Sequence, residues 1–154
     1  MVEPLELFIA YSDKDEGLRE SLEQSLTTLA RSGQIKIWHD GKIAAGADRK
    51  KEIGENLSRA KIILLLLSSD FLESEDNDVE LQEALKRRDA DEAVVIPIIL
   101  RPCQWQNSQL GRLQALPKNG KPVTKWSNKD EAFLHVVQEI SRAIDKQRGG
   151  SRTA

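Results

Sequence analysis

The sequence predicts an α/β fold, in which helices cover both faces of a parallel β-sheet. Ile62–Leu67 (IILLLL) is a run of six aliphatic residues without alternation, which is typical of a strand buried on both faces. Ala93–Leu100 (AVVIPIIL) is a second wholly apolar segment of strand length. Between such segments lie longer ones whose apolar residues recur at helical spacing, and this alternation is characteristic of the α/β class.

The first quarter of the chain predicts a strand, a helix and a second strand. Leu5–Tyr11 (LELFIAY) is the first strand, and Asp13-x-x-Glu16 has the spacing of a helix capping box. The helix that follows has one apolar face and ends near Gly33, before a short second strand at Gln34–Trp38. The apolar residues of that face are Leu18, Leu22, Leu26, Leu29 and Ala30.

The next segment predicts a loop and a second helix. His39–Ala47 (HDGKIAAGA) contains two glycines and no helical pattern, so it is interpreted as a loop. Asp48 can cap the following helix, whose inward residues are Ile53, Leu57 and Ala60.

The middle of the chain predicts two buried strands joined by a helix. Lys61–Leu67 is the third strand, and an acidic loop leads to a helix from about Asp78 to Arg88. Ala93–Leu100 is the fourth strand. Because Pro97 cannot donate a ladder hydrogen bond, it predicts an edge position or a bulge.

The C-terminal third predicts an irregular segment, a fifth strand and a long helix. Residues 101–121 show only a weak helical signal, around Leu110–Leu116, and Pro122–Lys125 is assigned as a short fifth strand. Ser127-x-x-Asp130 opens a final helix. Its apolar residues are Ala132, Phe133, Val136, Val137, Ile140, Ala143 and Ile144.

These elements together predict one domain, residues 1–147, followed by a linker or disordered tail, residues 148–154. The predicted architecture is a three-layer sandwich with a five-stranded parallel sheet of flavodoxin-like type. The glycines at 149 and 150 suggest that the tail connects to another domain.

Composition narrows the functional classes. The net charge is −2, and the basic clusters at 49–51 and 86–88 have acidic neighbours, so they are interpreted as solvated helix faces rather than a nucleic-acid site. Cys103 is the single cysteine, which excludes a disulfide within these 154 residues and favours a reducing compartment. The sequence contains neither an apolar run of membrane-spanning length nor a signal-peptide pattern, so we expect a cytoplasmic protein that binds neither membrane nor nucleic acid.

Several chemistries have no sequence signature here. There is no G-x-G-x-x-G and no P-loop pattern, and His39 and His135 belong to no cluster with metal-ligand spacing. Cys103 has no evident basic partner for nucleophilic activation. A phosphoacceptor receiver domain would need an aspartate at the end of the third strand, where this chain has Ser68-Ser69. No cofactor and no metal are therefore predicted.

Polar residues follow each of the first three predicted strands. They are Ser12 and Asp13 after the first, residues 38–46 after the second, and residues 68–80 after the third. Because parallel strands end at one edge of the sheet, these segments predict a ligand pocket containing Asp13, Asp40 and Glu80. Structural roles are also possible: Asn77-x-x-Glu80 has capping-box spacing, and Trp38 can be a core residue.

The segments in this order resemble a TIR (Toll/interleukin-1 receptor homology) domain in its bacterial form. LFIAYSDKDE resembles the family's first box, IWHDGKIAAG its second strand and BB loop, and ILLLLSSDFLES…VEL its third-strand segment. VIPIILRPCQW and LQALPKNGKPVTKW resemble later segments of bacterial members. The resemblance covers residues 5–144 and implies the flavodoxin-like TIR fold.

The resemblance implies one of two functions. Many bacterial and plant members cleave the nicotinamide–ribose bond of NAD+ and release ADP-ribose or a cyclic form, whereas others are adaptors that act by self-association. In the enzymes the catalytic carboxylate lies early in the helix after the third strand, where this chain has Glu80. We therefore expect an NAD+ nucleosidase that serves as an effector module in bacterial defence or signalling. The alternative is a non-catalytic adaptor.

The resemblance also implies further site residues and partners. The residues expected to contact NAD+ are Tyr11, Ser12, Asp13, Trp38, Asp40, Lys42, Ala44, Gly46 and Ser74. The BB loop, residues 39–47, is expected to cover the substrate or to pack on a neighbouring TIR domain. A fused or associated sensor or oligomerising domain is expected as a further partner.

The chain departs from the family's pattern at two places. Bacterial members usually carry an aromatic residue shortly before the catalytic glutamate, whereas residues 74–80 contain none and the segment is one residue shorter. Members also often carry a tryptophan shortly after the BB-loop glycine, where this chain has Asp48-Arg49-Lys50. The acidic residues before Glu80 would repel the phosphates of a dinucleotide.

Overall fold

Four parallel strands form the central sheet in the computed structural model, which describes residues 3–149. They are β1 (Leu5–Ala10), β2 (Ile35–Trp38), β3 (Ile62–Leu67) and β4 (Val94–Ile99). Their order in the sheet is β2-β1-β3-β4, which places β1 and β3 at the centre. The register pairs Leu7 with both Ile37 and Ile62, and Ile62 with Val94.

Helices cover both faces of the sheet, as the sequence predicts. Within residues 3–149 the α-helices are α1 (Glu16–Ser25), α2 (Thr27–Arg31), α3 (Arg49–Arg59), α4 (Ser69–Glu73), α5 (Glu75–Asp89) and α6 (Lys129–Gly149). Alternate side chains of β1 point to opposite faces, so Leu7 and Ile9 pack with residues of α1, α2 and α6. Phe8 and Ala10 pack with residues of α3, α4 and α5. The three-layer sandwich is therefore confirmed.

The prediction of a fifth strand at Pro122–Lys125 is wrong. Val123–Lys125 forms a 3₁₀ turn, and the outer edge of β4 pairs instead with Leu116 in an isolated parallel bridge to Ile98. Leu116 donates its backbone N–H to Pro97 O over 2.9 Å, and its carbonyl accepts from Ile99 N over 2.8 Å. Pro117 follows at once and lacks an N–H, so the pairing stops after one residue. Because β4 is the last strand of the described sheet, the edge position predicted from Pro97 is confirmed.

The acidic segment after β3 is helical rather than a loop. Ser68 caps α4, because its Oγ accepts from Phe71 N over 3.2 Å, and Ser74 caps α5 by accepting from Asn77 N over 3.1 Å. Acidic residues in the first turn of α5 favour this start because they complement the helix dipole. The helix therefore begins three residues earlier than predicted, and the interpretation of Asn77 as its cap is wrong.

Other helix starts and ends differ from the predictions in smaller ways. The first predicted helix is a 3₁₀ turn (Asp13–Asp15) followed by α1 and α2, with a break at Leu26. Asp48 caps α3 as predicted, since its Oδ1 accepts from Lys51 N over 3.2 Å. In the tail predicted at 148–154, residues 148 and 149 belong to α6, and residues 150–154 lie outside the described residues.

The basic cluster at 86–88 is only partly the solvated surface that the sequence suggested. Arg87 is buried, and its Nη1 donates to the carbonyl oxygen of Leu57 over 2.7 Å and to that of Ala60. These bonds satisfy carbonyls at the C-terminal end of α3, so Arg87 joins α5 to α3.

No helix within residues 3–149 has both the length and the hydropathy needed to cross a bilayer.

Candidate functional site

The polar residues that follow β1, β2 and β3 meet at the carboxyl edge of the sheet, as predicted. Tyr11 and Ser12 directly follow β1 and are buried, and Ser68 directly follows β3 and is also buried. His39 and Asp40 directly follow β2. Glu80 reaches the same edge from the second turn of α5.

Glu80 is held at this edge by Asn77. Only 8% of Glu80 is exposed, and its Oε1 accepts a hydrogen bond from Asn77 Nδ2 over 2.9 Å. The same Asn77 nitrogen donates to the carbonyl oxygen of Tyr11 over 3.2 Å. Asn77 therefore ties the predicted catalytic carboxylate to the end of β1, although the sequence suggested only a helix cap.

The environment of Glu80 favours its protonated form. Burial raises the pKa of Glu80 to about 7, and the hydrogen bond from Asn77 lowers this pKa in part. The nearby carboxylates of Asp40 and Asp76 raise the pKa, and the guanidinium of Arg49 lowers it. A carboxyl group with a pKa near neutrality at a sheet edge is a recognised sign of a functional site.

Asp40 connects the loop after β2 to the first residue of α3. Arg49 Nη2 donates to Asp40 Oδ2 over 2.8 Å, and the Asp40 side chain is only 14% exposed. Burial, together with the carboxylate of Asp40, raises the pKa of Tyr11 to about 12, so the phenol keeps its proton. Arg49 was interpreted from the sequence as part of a solvated face, and the structure brings it to the candidate site instead.

His39, which the sequence did not select, organises the start of the BB loop. Its Nδ1 accepts a hydrogen bond from the backbone N–H of Gly41 over 3.1 Å. Its Nε2 lies 3.1 Å from Glu23 Oε1 and 3.2 Å from Arg19 Nη1. Burial, followed by the charge of Arg19, lowers the pKa of His39 and keeps the ring neutral.

Arg19 and Glu23 of α1 complete the surroundings of His39. Arg19 Nη1 donates to Glu23 Oε1 over 2.5 Å, and its guanidinium carbon lies 5.3 Å from the centre of the Tyr11 ring. Arg19 occupies a position in α1 that the predicted apolar face does not include, so periodicity gave no reason to select it. His39 could have been found, because it directly follows a parallel strand, as Ser12 and Ser68 do.

Asp15 is a second residue that the sequence did not select. Its side chain is fully buried, and Oδ2 accepts from Ser68 Oγ over 2.5 Å while Oδ1 accepts from Arg101 Nε over 2.7 Å. Asp15 therefore joins the segments that follow β1, β3 and β4. Its spacing from the other two residues, 53 and 86 positions, leaves no local signal in the sequence.

Other predicted site residues lie around this centre. Asp13 is exposed, and its carboxylate raises the pKa of Arg49. The Oγ atoms of Ser12 and Ser74 accept from backbone N–H groups two and three residues later. Ala44 and Gly46 are exposed, and Gly46 has a φ of +85°, which favours glycine.

Trp38 and Lys42 make contacts away from Glu80. The centre of the Trp38 ring lies 5.3 Å from that of Phe8, and Trp38 packs on the core beneath α3 and α5. Trp38 therefore packs as the predicted alternative, a core residue, would. Lys42 Nζ donates to the carbonyl oxygen of Ile37 over 2.8 Å and lies 3.9 Å from Glu23 Oε2.

Two cavities of the molecule lie elsewhere. One of about 490 Å³ lies between α5 and residues 106–112, and one of about 630 Å³ lies near Lys61, Arg87 and Glu92. Neither is lined by Glu80. Residues 3–149 contain no group of three or more histidine, cysteine or acidic side chains placed to hold a metal ion.

Comparison with known proteins shows similarity to a family model, to a curated relative and to solved structures. A family model described as "TIR domain" matches residues 7–137. The uncharacterized protein y4lF of Sinorhizobium fredii (strain NBRC 101917 / NGR234) is 46% identical over 141 residues, which are 91% of this chain and 44% of that protein. The chain thus spans less than half the length of this curated relative.

Solved structures share the fold at lower identity. The TIR domain of the Toll-related receptor TRR-2 from Hydra magnipapillata has a TM-score of 0.64 at 24% identity, covering 90% of this chain and 96% of that chain. The RPS4 and RRS1 TIR domain heterodimer has a TM-score of 0.52 at 12% identity, covering 91% and 97%. The TIR domains of the activated Roq1 resistosome recognising the effector XopQ have a TM-score of 0.51 at 19% identity, covering 61% and 56%.

Proposed function

The chain belongs to the TIR domain family, and we propose that it is an NAD+ nucleosidase in which Glu80 is the catalytic residue. The family contains both enzymes that cleave NAD+ and adaptors that do not. The choice between these functions depends on whether the site is equipped for chemistry.

One observation supports the enzymatic function above all others: Glu80 is a buried carboxyl group whose charge is paired with no cation in the described residues. It caps no helix, since Ser74 does so, and its side chain forms no ion pair within residues 3–149. Burying a polar group costs free energy of folding, on the order of 1–3 kcal/mol where it is left unsatisfied, and the one hydrogen bond from Asn77 offsets this cost only in part, since the pKa of Glu80 stays raised. A functional requirement explains why such a group is present.

The proposed reaction needs one carboxylate and no general acid. The bond between C1′ of the ribose and the pyridinium nitrogen breaks, and its electron pair returns to the ring, so nicotinamide leaves as a neutral molecule. The ionised form of Glu80 stabilises the positive charge that develops on the ribose, as carboxylates do in glycoside hydrolysis. Water then adds at C1′ and loses a proton to give ADP-ribose, or an adenine nitrogen adds to give a cyclic product.

The BB loop and the end of β1 are proposed to bind the substrate. Tyr11, Ser12, Asp13 and Asp40 line the carboxyl edge next to Glu80, and Ser74 caps the helix that carries it. Trp38, Lys42, Ala44 and Gly46 belong to the segment that would close over bound NAD+. Because Glu80 is only 8% exposed, the edge of the sheet must open before a ribose can reach the carboxylate.

Nicotinamide release from NAD+ tests the proposal directly. The Glu80→Ala and Glu80→Gln variants should lose activity by at least a hundredfold, because the developing charge is no longer stabilised. Glu83→Ala is the matched control, since Glu83 is an exposed carboxylate on the same helix. Equal activity in wild type and Glu80→Gln would remove Glu80 from the mechanism.

Association between TIR domains is the second proposed function, and the exposed BB loop supports it. Residues 44–51 are all exposed, including Ala44, Ala45 and Ala47, which present small apolar side chains to solvent. Two of the structural neighbours are described as a TIR domain heterodimer and as an activated resistosome. The loop would then dock on a second TIR domain, in an adaptor or in the active assembly of an enzyme.

Gly46→Pro tests this association. Proline fixes φ near −65°, whereas Gly46 has a φ of +85°, so the loop cannot keep its shape. Sedimentation should show loss of self-association, and circular dichroism should show an unchanged fold. Gly54→Ala is the control, because a Cβ at Gly54 in α3 meets nothing within 4 Å, so this change should leave both the fold and the association intact. Self-association that survives Gly46→Pro would exclude the BB loop as the interface.

We further propose that the domain acts in the cytoplasm as the effector module of a bacterial defence or signalling protein, together with a sensing or oligomerising partner. The test measures cellular NAD+. Expression of the wild-type domain fused to an oligomerising scaffold should deplete it. The Glu80→Gln fusion should not.

A further inference from the structure

The rim around Glu80 carries more negative than positive side chains. The carboxylates of Asp40 and Asp76 lie close enough to Glu80 to raise its pKa. The carboxylates of Asp13 and Asp40 likewise raise the pKa of Arg49. The diphosphate of a dinucleotide is anionic, so these carboxylates repel the substrate of the proposed function. A site of this composition needs a cation where the diphosphate lies.

Arg49 is placed to provide that cation. Its Nη2 is anchored to Asp40 Oδ2 at 2.8 Å, while its side chain remains 56% exposed. This is the one hydrogen bond found for the guanidinium in the part of the chain that the structure describes. A guanidinium has five N–H donors in a planar fork that matches phosphate oxygens, so most of its donors are available to a ligand.

The position of Arg49 is not explained by stability. Arg49 is the first residue of α3, where the helix dipole disfavours a cation by about 0.3–1 kcal/mol. Its exposed ion pair with Asp40 stabilises the fold by only about 0–1 kcal/mol. The two terms roughly cancel, so a ligand-binding role accounts better for an arginine beside Glu80.

We infer that Arg49 binds the diphosphate of the substrate and thereby selects dinucleotides over nicotinamide ribosides, which lack phosphate. The inference rests on the proposed function, because it assigns a substrate class to the same site. Asp40 acts as the positioning residue: it holds the guanidinium at the rim and leaves the other donors of the fork facing outward.

Kinetics on two substrates test this role. NAD+ and nicotinamide riboside share the bond that breaks, but only NAD+ carries the diphosphate. Arg49→Gln should raise KM for NAD+ about tenfold with kcat within about twofold, and KM for nicotinamide riboside should not change. Arg49→Lys should restore part of the affinity, because it keeps the charge but loses the fork. Lys50→Gln, an exposed cation in the same helical turn, should behave like wild type.

Two kinetic results would overturn the inference. One is an equal change in KM for both substrates, which would indicate a general disturbance of the site. The other is an unchanged KM for NAD+ in Arg49→Gln when circular dichroism shows the variant to be folded.

Failure of the proposed function can be distinguished from failure of the inference. If the wild-type chain cleaves neither substrate, titration calorimetry with ADP-ribose decides the role of Arg49 by binding alone. Binding that is weakened about tenfold in Arg49→Gln but not in Lys50→Gln supports the inference without catalysis. Absence of ADP-ribose binding to the wild-type chain overturns it.

Discussion

Asn77 Nδ2 lies 2.9 Å from Glu80 Oε1 and 3.2 Å from the carbonyl oxygen of Tyr11. One amide nitrogen thus links the candidate catalytic carboxylate in α5 to the end of a central strand. The link fixes where Glu80 lies relative to the sheet edge, and it lowers the pKa that burial has raised.

Removal of this link should weaken both the fold and the activity. Asn77→Ala leaves the Tyr11 carbonyl and the Glu80 carboxyl without their donor, which should cost about 1–3 kcal/mol in the free energy of unfolding. The pKa of Glu80 should rise further, so activity near neutral pH should fall and recover in part at higher pH. Urea denaturation and a pH profile of NAD+ turnover measure the two effects. Asn107→Ala, at an exposed loop position, should change neither, and a pH profile identical to wild type would contradict the link.

Glu80→Gln should stabilise the protein at high pH. The pKa of Glu80 is raised from 4.5 to about 7 in the folded state, so its contribution to stability is fully present below 4.5. That contribution is lost as pH rises through about 7, on the order of 1–3 kcal/mol. Glutamine cannot ionise and avoids the loss. Urea midpoints measured between about pH 4.5 and about pH 8 should therefore diverge in favour of the variant. Parallel curves for the wild type and Glu80→Gln would show that Glu80 is not desolvated.

Gly41→Ala should disturb the BB loop, whereas Gly54→Ala should not. A Cβ at Gly41 would lie 2.8 Å from Cε1 and 2.9 Å from Nδ1 of the buried His39 ring. The ring would have to move, which would break the bond from Gly41 N and cost about 1–3 kcal/mol. Nothing lies within 4 Å of a Cβ at Gly54 in α3, so alanine there should add about 0.5–1 kcal/mol of stability. Thermal unfolding separates the two, and equal stability of both variants would contradict the packing of His39 on Gly41.

Asp15→Ala should destabilise the carboxyl edge of the sheet more than Asp15→Asn. Alanine removes the acceptor of both Ser68 Oγ and Arg101 Nε, with an expected loss of about 2–4 kcal/mol. Asparagine keeps one acceptor and should lose less. Arg142→Ala breaks the exposed pair with Glu139 and should cost under about 0.5 kcal/mol. Urea denaturation in low and high salt measures these losses, and a small loss for Asp15→Ala would show that Asp15 does not hold the three segments together.

Specific activity should rise with protein concentration. Only 8% of Glu80 is exposed in the single chain, so the site must open for the substrate. Packing of a BB loop on a neighbour would hold the opened site in order and exclude water from it. NAD+ turnover per mole should therefore increase across a hundredfold range of concentration, in parallel with the mass measured by light scattering. Constant turnover from a sample that stays monomeric would mean that each chain holds a complete site.

The pattern of apolar residues was sufficient to predict the layers of the fold. Ile62–Leu67 is buried without exception, as its lack of alternation required, and the covering helices follow from their periodicity. The edges of these elements were less predictable. Leu116, directly before Pro117, pairs with β4 for one residue. Ser68 and Ser74 start two helices in a segment whose acidity suggested a loop.

The sequence by itself determined the parallel sheet, the edge where polar residues collect and the position of Glu80 next to it. These follow from local periodicity and from the rule that parallel strands end together. Only the tertiary structure decided the partners at that edge: Asn77 with Glu80, Arg49 with Asp40, His39 with Gly41 and Glu23, and Asp15 with Ser68 and Arg101. Asp15 lies 53 and 86 positions from its two partners, and even the pairs that are close in the chain depend on side-chain packing that local patterns do not record. Burial, which raises the pKa of Glu80, is likewise a property of the packed molecule.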